Sequence, residues 1–147
     1  MDRELFDQEM VAGEPRPFEL PHWIACAPFE KYLGMHIDAA HGGKATLTMP
    51  FRVKHAQGKG LMHGGALTAL ADTAVAMAIK SLLPEDSHFA TTTLTTQFHA
   101  PVKGGTVRAE ALITSQDDRE ITGEACIYDD GGVKVATFTS TFRVKRR

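Results

Sequence analysis

In residues 58–83, GKGLMHGGALTALADTAVAMAIKSLL, a pair of glycines and one aspartate bring together the two halves of a possible hydrolysis. Gly64 and Gly65 follow His63 at what the spacing marks as a helix start, where the first backbone N–H groups lack an intrahelical acceptor and carry partial positive charge. Such donors can hold an oxygen as negative charge develops on it, and glycine lets a reacting group approach the backbone closely. Asp72 can supply the other half, as a general base towards water or as a nucleophile towards an acyl carbon. His63 has two readings: a structural one, in which the ring bonds nearby backbone, and an orienting one. The structural reading is favoured.

The element that must position these groups is the helix itself. Leu67, Leu70, Ala71, Ala74, Ala78 and Leu82 recur at intervals of three and four, which predicts a helix over residues 63–83 with those side chains on one face. Asp72 points the other way, among Thr68, Ala69, Val75, Ala76 and Ile79. A solvated helix face should carry several charges, yet this one offers only Asp72, with Lys80 off to one side. Both faces are therefore expected to be buried, one of them around a lone carboxylate. The bland alternative for Asp72 is an interface carboxylate bonded to Thr68 or to a partner chain.

Spacing adds a condition. Eight residues separate Gly64 from Asp72, roughly 12 Å at 1.5 Å per residue, whereas both groups must come within about 3 Å of the reacting centre. One helix cannot supply both. The N-terminus of one copy would have to meet Asp72 of another, across an interface of antiparallel helices, with two sites per dimer.

Around the helix the pattern is mostly strand. Residues 28–33 (PFEKYL) read as a short helix that starts on a proline and stops at Gly34. Residues 35–40 and 44–49 read as a hairpin turning at His41, Gly42 and Gly43, and residues 52–62 as a loop. After the helix, strands are predicted at 88–99, 106–115, 121–128 and 133–144, the last with Ala136, Phe138, Phe142 and Val144 on one face. Short polar links favour antiparallel neighbours. A long helix can be covered only by a sheet that curls round it, which makes an α+β fold. Residues 1–27, with Pro15, Pro17 and Pro21 and an excess of acids, are expected to form an arm or short helix anchored by Trp23 and Ile24, ahead of a domain at 28–147.

At 147 residues the chain fits one domain, and its 43% apolar and 23% charged content is ordinary for a globular protein. A net charge of -2 gives no electrostatic reason to expect nucleic acid. The basic end, Arg143, Lys145, Arg146 and Arg147, is read as a short solvated tail. Cys26 and Cys126 have no metal-ligand spacing and fit buried free thiols in a reducing cytosol. The histidines are scattered, so no metal site is expected, and Gly58, Lys59 and Gly60 do not make a P-loop. Neither a signal-peptide core nor a run of 18 apolar residues is present, so the expectation is a soluble cytoplasmic protein without a membrane partner.

The run GLMHGGALTALADTA, with its aspartate nine positions after the histidine, resembles the hotdog-fold acyl-CoA thioesterases of the phenylacetic-acid-degradation type, within the 4-hydroxybenzoyl-CoA thioesterase superfamily. The likeness covers roughly residues 29–144. It implies a six-stranded antiparallel sheet wrapped round one long central helix, paired into homodimers and often homotetramers, acting on acyl-CoA without a cofactor. By the family's pattern Gly64 is the backbone donor to the thioester carbonyl, Gly65 its neighbour at the helix start, and Asp72 of the partner subunit the base or nucleophile. Six positions before the histidine such enzymes often carry asparagine; here it is Gln57, the amide kept but lengthened. Thr91 falls where some relatives carry serine and could position the water, with Thr92 as the neighbouring alternative. Lys54, Lys59, Lys103 and Arg108 are candidates for the CoA phosphates. The rival readings are a hotdog dehydratase or hydratase, whose differently spaced histidine–acid pair is not found, and a non-catalytic acyl-CoA-binding module.

Overall fold

A computed structural model of the chain describes residues 3–145. Two short helices, α1 (Arg3–Asp7) and α2 (Pro28–Leu33), precede a hairpin of β1 (His36–His41) and β2 (Lys44–Pro50). The turn between them is made by Gly42 and Gly43, with φ of 59° and 81°, the left-handed conformations that a two-residue hairpin turn demands and that glycine adopts without strain. The long helix α3 (Gly64–Lys80) follows, and then β3 (His88–Phe98), β4 (Thr106–Gln116), β5 (Glu120–Tyr128) and β6 (Lys134–Lys145).

The six strands form one antiparallel sheet in the order β1-β2-β4-β5-β6-β3. β3, the first strand after the helix, thus crosses to the far edge, where it pairs only with β6. The sheet's inner face, built from Leu47, Met49, Val107, Ala109, Ile127 and Phe138, is shut away from solvent against Leu67, Leu70, Ala71, Ala74, Val75 and Ala78 of α3. This is the six-stranded sheet around one long helix that the residues implied. The alanines of α3 let it lie close to the strands. At Gly123 of β5 the approach leaves no room for a side chain, since a Cβ there would stand 2.5 Å from Val75 Cγ1.

Several boundaries differ from the sequence reading, each for a local reason. The helix ends at Lys80 instead of Leu83, because the Ser81 hydroxyl donates to the Ala78 carbonyl at 2.6 Å and accepts the Gly43 N–H at 2.9 Å, tying the helix end to the hairpin turn. Pro84 then forbids continuation. Leu82 leaves the helix face and is 41% exposed, though it still covers Gly43. The loop 52–62 holds a single 3-10 turn, Val53–His55, and a bridge between Ala56 and Met62. The basic end is no tail as far as it is described: Arg143 and Lys145 are strand residues of β6 paired with β3, while Arg146 and Arg147 lie outside the described residues. Cys26 and Cys126 are free but only half-buried.

The expectation that both faces of α3 are buried is corrected within one chain. Val75 and Ile79 are fully buried, but Thr68, Ala69, Asp72, Thr73 and Ala76 form a half-exposed stripe along β3. The sheet covers the Leu67 face completely, and its edge strand reaches only the margin of the Asp72 face. The N-terminal arm is pinned at the far end of the helix. Trp23 Nε1 donates to the Lys80 carbonyl at 2.9 Å, Lys80 Nζ donates to the Trp23 carbonyl at 2.9 Å, and the ammonium lies 4.7 Å from the indole centroid.

Candidate active site

Asp72 sits in the third turn of α3 and faces β3. The Thr91 hydroxyl is held between its two carboxylate oxygens, at 3.0 Å from Oδ1 and 3.1 Å from Oδ2. Burial pushes the carboxyl pKa above the usual carboxylate range, and the bond from Thr91, which favours the ionised form, opposes that shift without cancelling it. The register of β3 against β6 slips between Thr91 and Thr93, so Thr92 is the extra residue of a bulge. Its hydroxyl donates to the Thr141 carbonyl at 3.1 Å. Of the two threonines, therefore, Thr91 meets Asp72 and Thr92 does not. Thr68 bonds to Thr96 at 2.9 Å, so the carboxylate's partner within the chain is Thr91 and the bland pairing with Thr68 is absent.

The other half is built at the helix start. His63 is the N-cap residue, and its ring Nδ1 accepts the Gly65 N–H at 2.7 Å. That capping bond occupies the donor the sequence reading had placed beside Gly64 as a possible oxyanion contact. It also explains glycine at 65, because a Cβ there would meet His63 Nδ1 at 2.9 Å. Among the described residues no protein acceptor takes the Gly64 N–H. Gly64 opens with Gln57, Leu61, Met62, Leu67 and Phe98 onto a cleft of about 440 Å³. A Cβ at Gly64 would strike the Phe98 ring at 2.9 Å, so only glycine keeps both the ring and the amide in place. Gln57 begins a tight loop in which its carbonyl accepts the Gly60 N–H at 2.9 Å and its side-chain Oε1 accepts the Lys59 N–H.

His55, unremarked in the sequence beyond its place among scattered histidines, fixes this loop. It is buried, its Nδ1 accepts the Arg52 N–H at 2.9 Å, and its Nε2 lies 2.7 Å from the Leu33 carbonyl. A ring nitrogen that accepts an N–H is unprotonated, so the proton belongs on Nε2, donated to α2. The His55 carbonyl in turn accepts the His63 N–H at 2.8 Å. The only sequence signal is a histidine eight residues before His63, in the loop that leads to the helix.

Within one chain the structure brings Asp72 together with Thr91, and Gly64 together with Gln57, but leaves the two pairs eight residues apart along α3. Among the described residues no group of three or more His, Cys, Asp or Glu converges as a metal site, and no helix is long and apolar enough to cross a membrane. A carboxylate, a hydroxyl and a bare helix-start amide are a set suited to acyl transfer to water, provided two copies of the helix meet.

Comparison with known proteins points the same way. The family model of the thioesterase superfamily matches residues 59–136, which hold Gly64, Asp72 and Thr91. The proofreading thioesterase EntH of Klebsiella pneumoniae is 31% identical over 106 residues, 72% of this chain and 77% of that protein. Among solved structures, a variant of the phenylacetic acid degradation protein PaaI of Thermus thermophilus is 29% identical with a TM-score of 0.73, covering 80% of this chain and 98% of that one. The Escherichia coli PaaI protein is 27% identical with a TM-score of 0.75, covering 82% and 86%.

Proposed function

Because the chain belongs to the thioesterase superfamily and is a thioester hydrolase, we propose that it cleaves an acyl- or aroyl-CoA to the free acid and CoA at sites shared between two copies of itself. The thioester carbonyl oxygen accepts the Gly64 N–H at the helix start of one copy, with the Gln57 amide beside it. Asp72 of the second copy, held by Thr91, stands on the other side of the carbonyl carbon. As a base it takes a proton from water while the water oxygen bonds to that carbon. The carbon–sulfur bond then breaks, the electron pair leaves with CoA thiolate, and the proton returns to sulfur. Attack by the carboxylate itself would give an anhydride that water opens, and both routes need Asp72 ionised. His63 serves by capping the helix that presents Gly64.

The observation that carries this reading is the half-buried Asp72 of α3, whose hydroxyl partner among the described residues, Thr91, comes from strand β3. The shared site is supported by the half-exposed stripe around Asp72 and by β3, a long edge strand with Leu94 43% and Phe98 54% exposed; such edges invite pairing with another copy. Dimers, or dimers of dimers, and a cytosolic setting consistent with two free cysteines belong to the same proposal. The test is CoA release, followed with a thiol reagent over a panel of acyl chains. Asp72→Ala should lower kcat by roughly 10²–10⁴-fold, the range of a positioned base. Unchanged turnover would sink the mechanism.

A further inference from the structure

The loop that carries Gln57 and leads to Gly64 hangs on a buried histidine. Of residues 52–61, His55 is the one that is fully buried, at 2% exposure. A leucine would fill that space without asking for partners, whereas an imidazole brings two nitrogens that must each find one. They find them on different elements. Nδ1 accepts the Arg52 N–H three residues back, within the same 3-10 turn, and Nε2 donates to the Leu33 carbonyl, 22 residues away, at 2.7 Å. Leu33 is the last residue of α2, where carbonyls lack an intrahelical donor. The Gly34 and Met35 N–H groups bond back to Lys31 and Glu30 at 3.1 and 3.0 Å, which leaves the Tyr32 and Leu33 carbonyls for the loop. Lys54 donates to the Tyr32 carbonyl, so this lysine, a sequence candidate for the CoA phosphates, is committed to α2. Two adjacent loop residues thus hold two adjacent helix-end carbonyls. Past His55 the loop folds into a small hairpin around the Ala56–Met62 bridge. The His55 carbonyl accepts the His63 N–H at 2.8 Å, and the Leu61 carbonyl accepts the Gln57 N–H at 2.8 Å. The returning strand has its own anchor, because the Met62 N–H donates to the carbonyl of buried Val102 at 3.0 Å. The outgoing strand carries Gln57. Among the described residues, the hydrogen bonds of residues 52–57 to elements outside the loop are those of Lys54 and His55 to α2.

We propose that His55 is a positioning residue for thioester cleavage: its bond to the Leu33 carbonyl, more than its bond to Arg52, fixes where Gln57 and Gly64 meet the thioester oxygen. The inference rests on the reading of the chain as a CoA thioesterase and adds a residue that touches neither substrate nor water. The Arg52 bond is local and shapes the turn, and a turn can keep its shape while it swings as a whole. The Leu33 bond ties that turn to a residue packed against the core. Its effect reaches both donors. Gln57 lies two residues beyond His55 on the same strand, and the His55 carbonyl holds the N–H of His63, the residue that caps α3 and precedes Gly64. Donors to a developing oxyanion act chiefly on the transition state, so a loosened pair lowers kcat more than it raises KM. A displacement of about 1 Å is enough to cost roughly a hundredfold.

Two substitutions separate the bonds of the ring. In His55→Asn the amide stands where Nδ1 stood and can accept the Arg52 N–H, but it is too short to reach Leu33. In His55→Gln the longer amide donates to Leu33 and gives up Arg52. Both are assayed with an acyl-CoA at a temperature where urea unfolding shows them folded. His55→Asn should lower kcat roughly 10- to 100-fold with KM within about threefold, and His55→Gln should bring kcat back to within about threefold of wild type. Equal losses in the two variants, the larger loss in His55→Gln, an unchanged kcat in His55→Asn, or a change confined to KM would overturn the proposal. Amide hydrogen exchange followed by NMR distinguishes positioning from general loosening and needs no turnover. The Gln57 and His63 N–H groups should exchange at least roughly tenfold faster in His55→Asn and near the wild-type rate in His55→Gln. The Val144 N–H, which donates to the Arg119 carbonyl at 2.7 Å where β6 ends, should keep its rate in both. Faster exchange at all three amides alike, or at none, counts against His55 as the anchor. If the wild type cleaves no thioester, it is the thioesterase reading that fails, and the exchange rates alone then decide whether His55 places the loop.

Discussion

The Asp72 carboxylate is held in tension between burial, which disfavours its charge, and Thr91, which favours it. Two outcomes follow at this scale. Activity should fall on the acid side as Asp72 protonates, with a midpoint above the ordinary carboxylate range. Thr91→Val removes a donor to the ionised form, so the acid limb of kcat/KM should move to higher pH, with kcat reduced roughly tenfold, as for a lost bond to a charged group. A limb that stays in place would show that Thr91 does not tune the carboxylate. Stability should respond in the opposite sense to activity. A folded pKa raised above the unfolded value near 3.9 means that the native state binds the extra proton. The stabilisation is full below that value and is lost as pH rises through the folded pKa. Asp72→Asn should therefore melt higher than wild type at pH 7, and the difference should shrink as pH falls through the folded pKa and be gone below the unfolded value.

At the scale of the element, α3 depends on its two ends and on one close crossing. His63→Ala removes the cap on the Gly65 N–H and should destabilise by about 1 kcal/mol, read from urea unfolding. Its effect on kcat should be modest if the ring only caps. Gly123→Val would drive a branched side chain into Val75, 2.5 Å from the position of the first added carbon, and overpacking of this kind costs about 1–3 kcal/mol. A variant as stable as wild type would mean that the helix can lift off the sheet at little cost. The predicted helix ran three residues too far at its C-terminal end, because periodicity carries no trace of a serine that bonds to a hairpin 38 residues away.

At the scale of the whole molecule, one chain keeps its two candidate groups, Gly64 with Gln57 and Asp72 with Thr91, eight residues apart along α3, and the proposed site needs both. Mixing Gln57→Ala and Asp72→Ala subunits should restore up to about half of wild-type activity in verified mixed dimers, since each would contain one intact site and one doubly altered site. No recovery in such dimers would count against sharing. The arm belongs to the same scale. Its Trp23–Lys80 clasp closes the end of the helix remote from Gly64; the sequence named Trp23 as the anchor but not Lys80 as what it holds.

The fold could be read from the chain because it is written in local terms: three-and-four spacing in α3, alternation in the strands, glycines at the turn and a proline at the start of α2. The separation of helix start from acid was legible as well, since the eight-residue gap between Gly64 and Asp72 follows from helix rise alone. What the tertiary structure decided depends on residues distant in sequence. It selected Thr91 over Thr92 through a bulge against β6, committed the Gly65 amide to His63, buried His55 between loop and helix, and turned an expected basic tail into two strand residues beside Arg119. Periodicity reports which face of an element is apolar, but not which side chain of another strand will meet it. The bond between Asp72 and Thr91 exists only because β3 crosses the whole sheet to reach the open side of the helix.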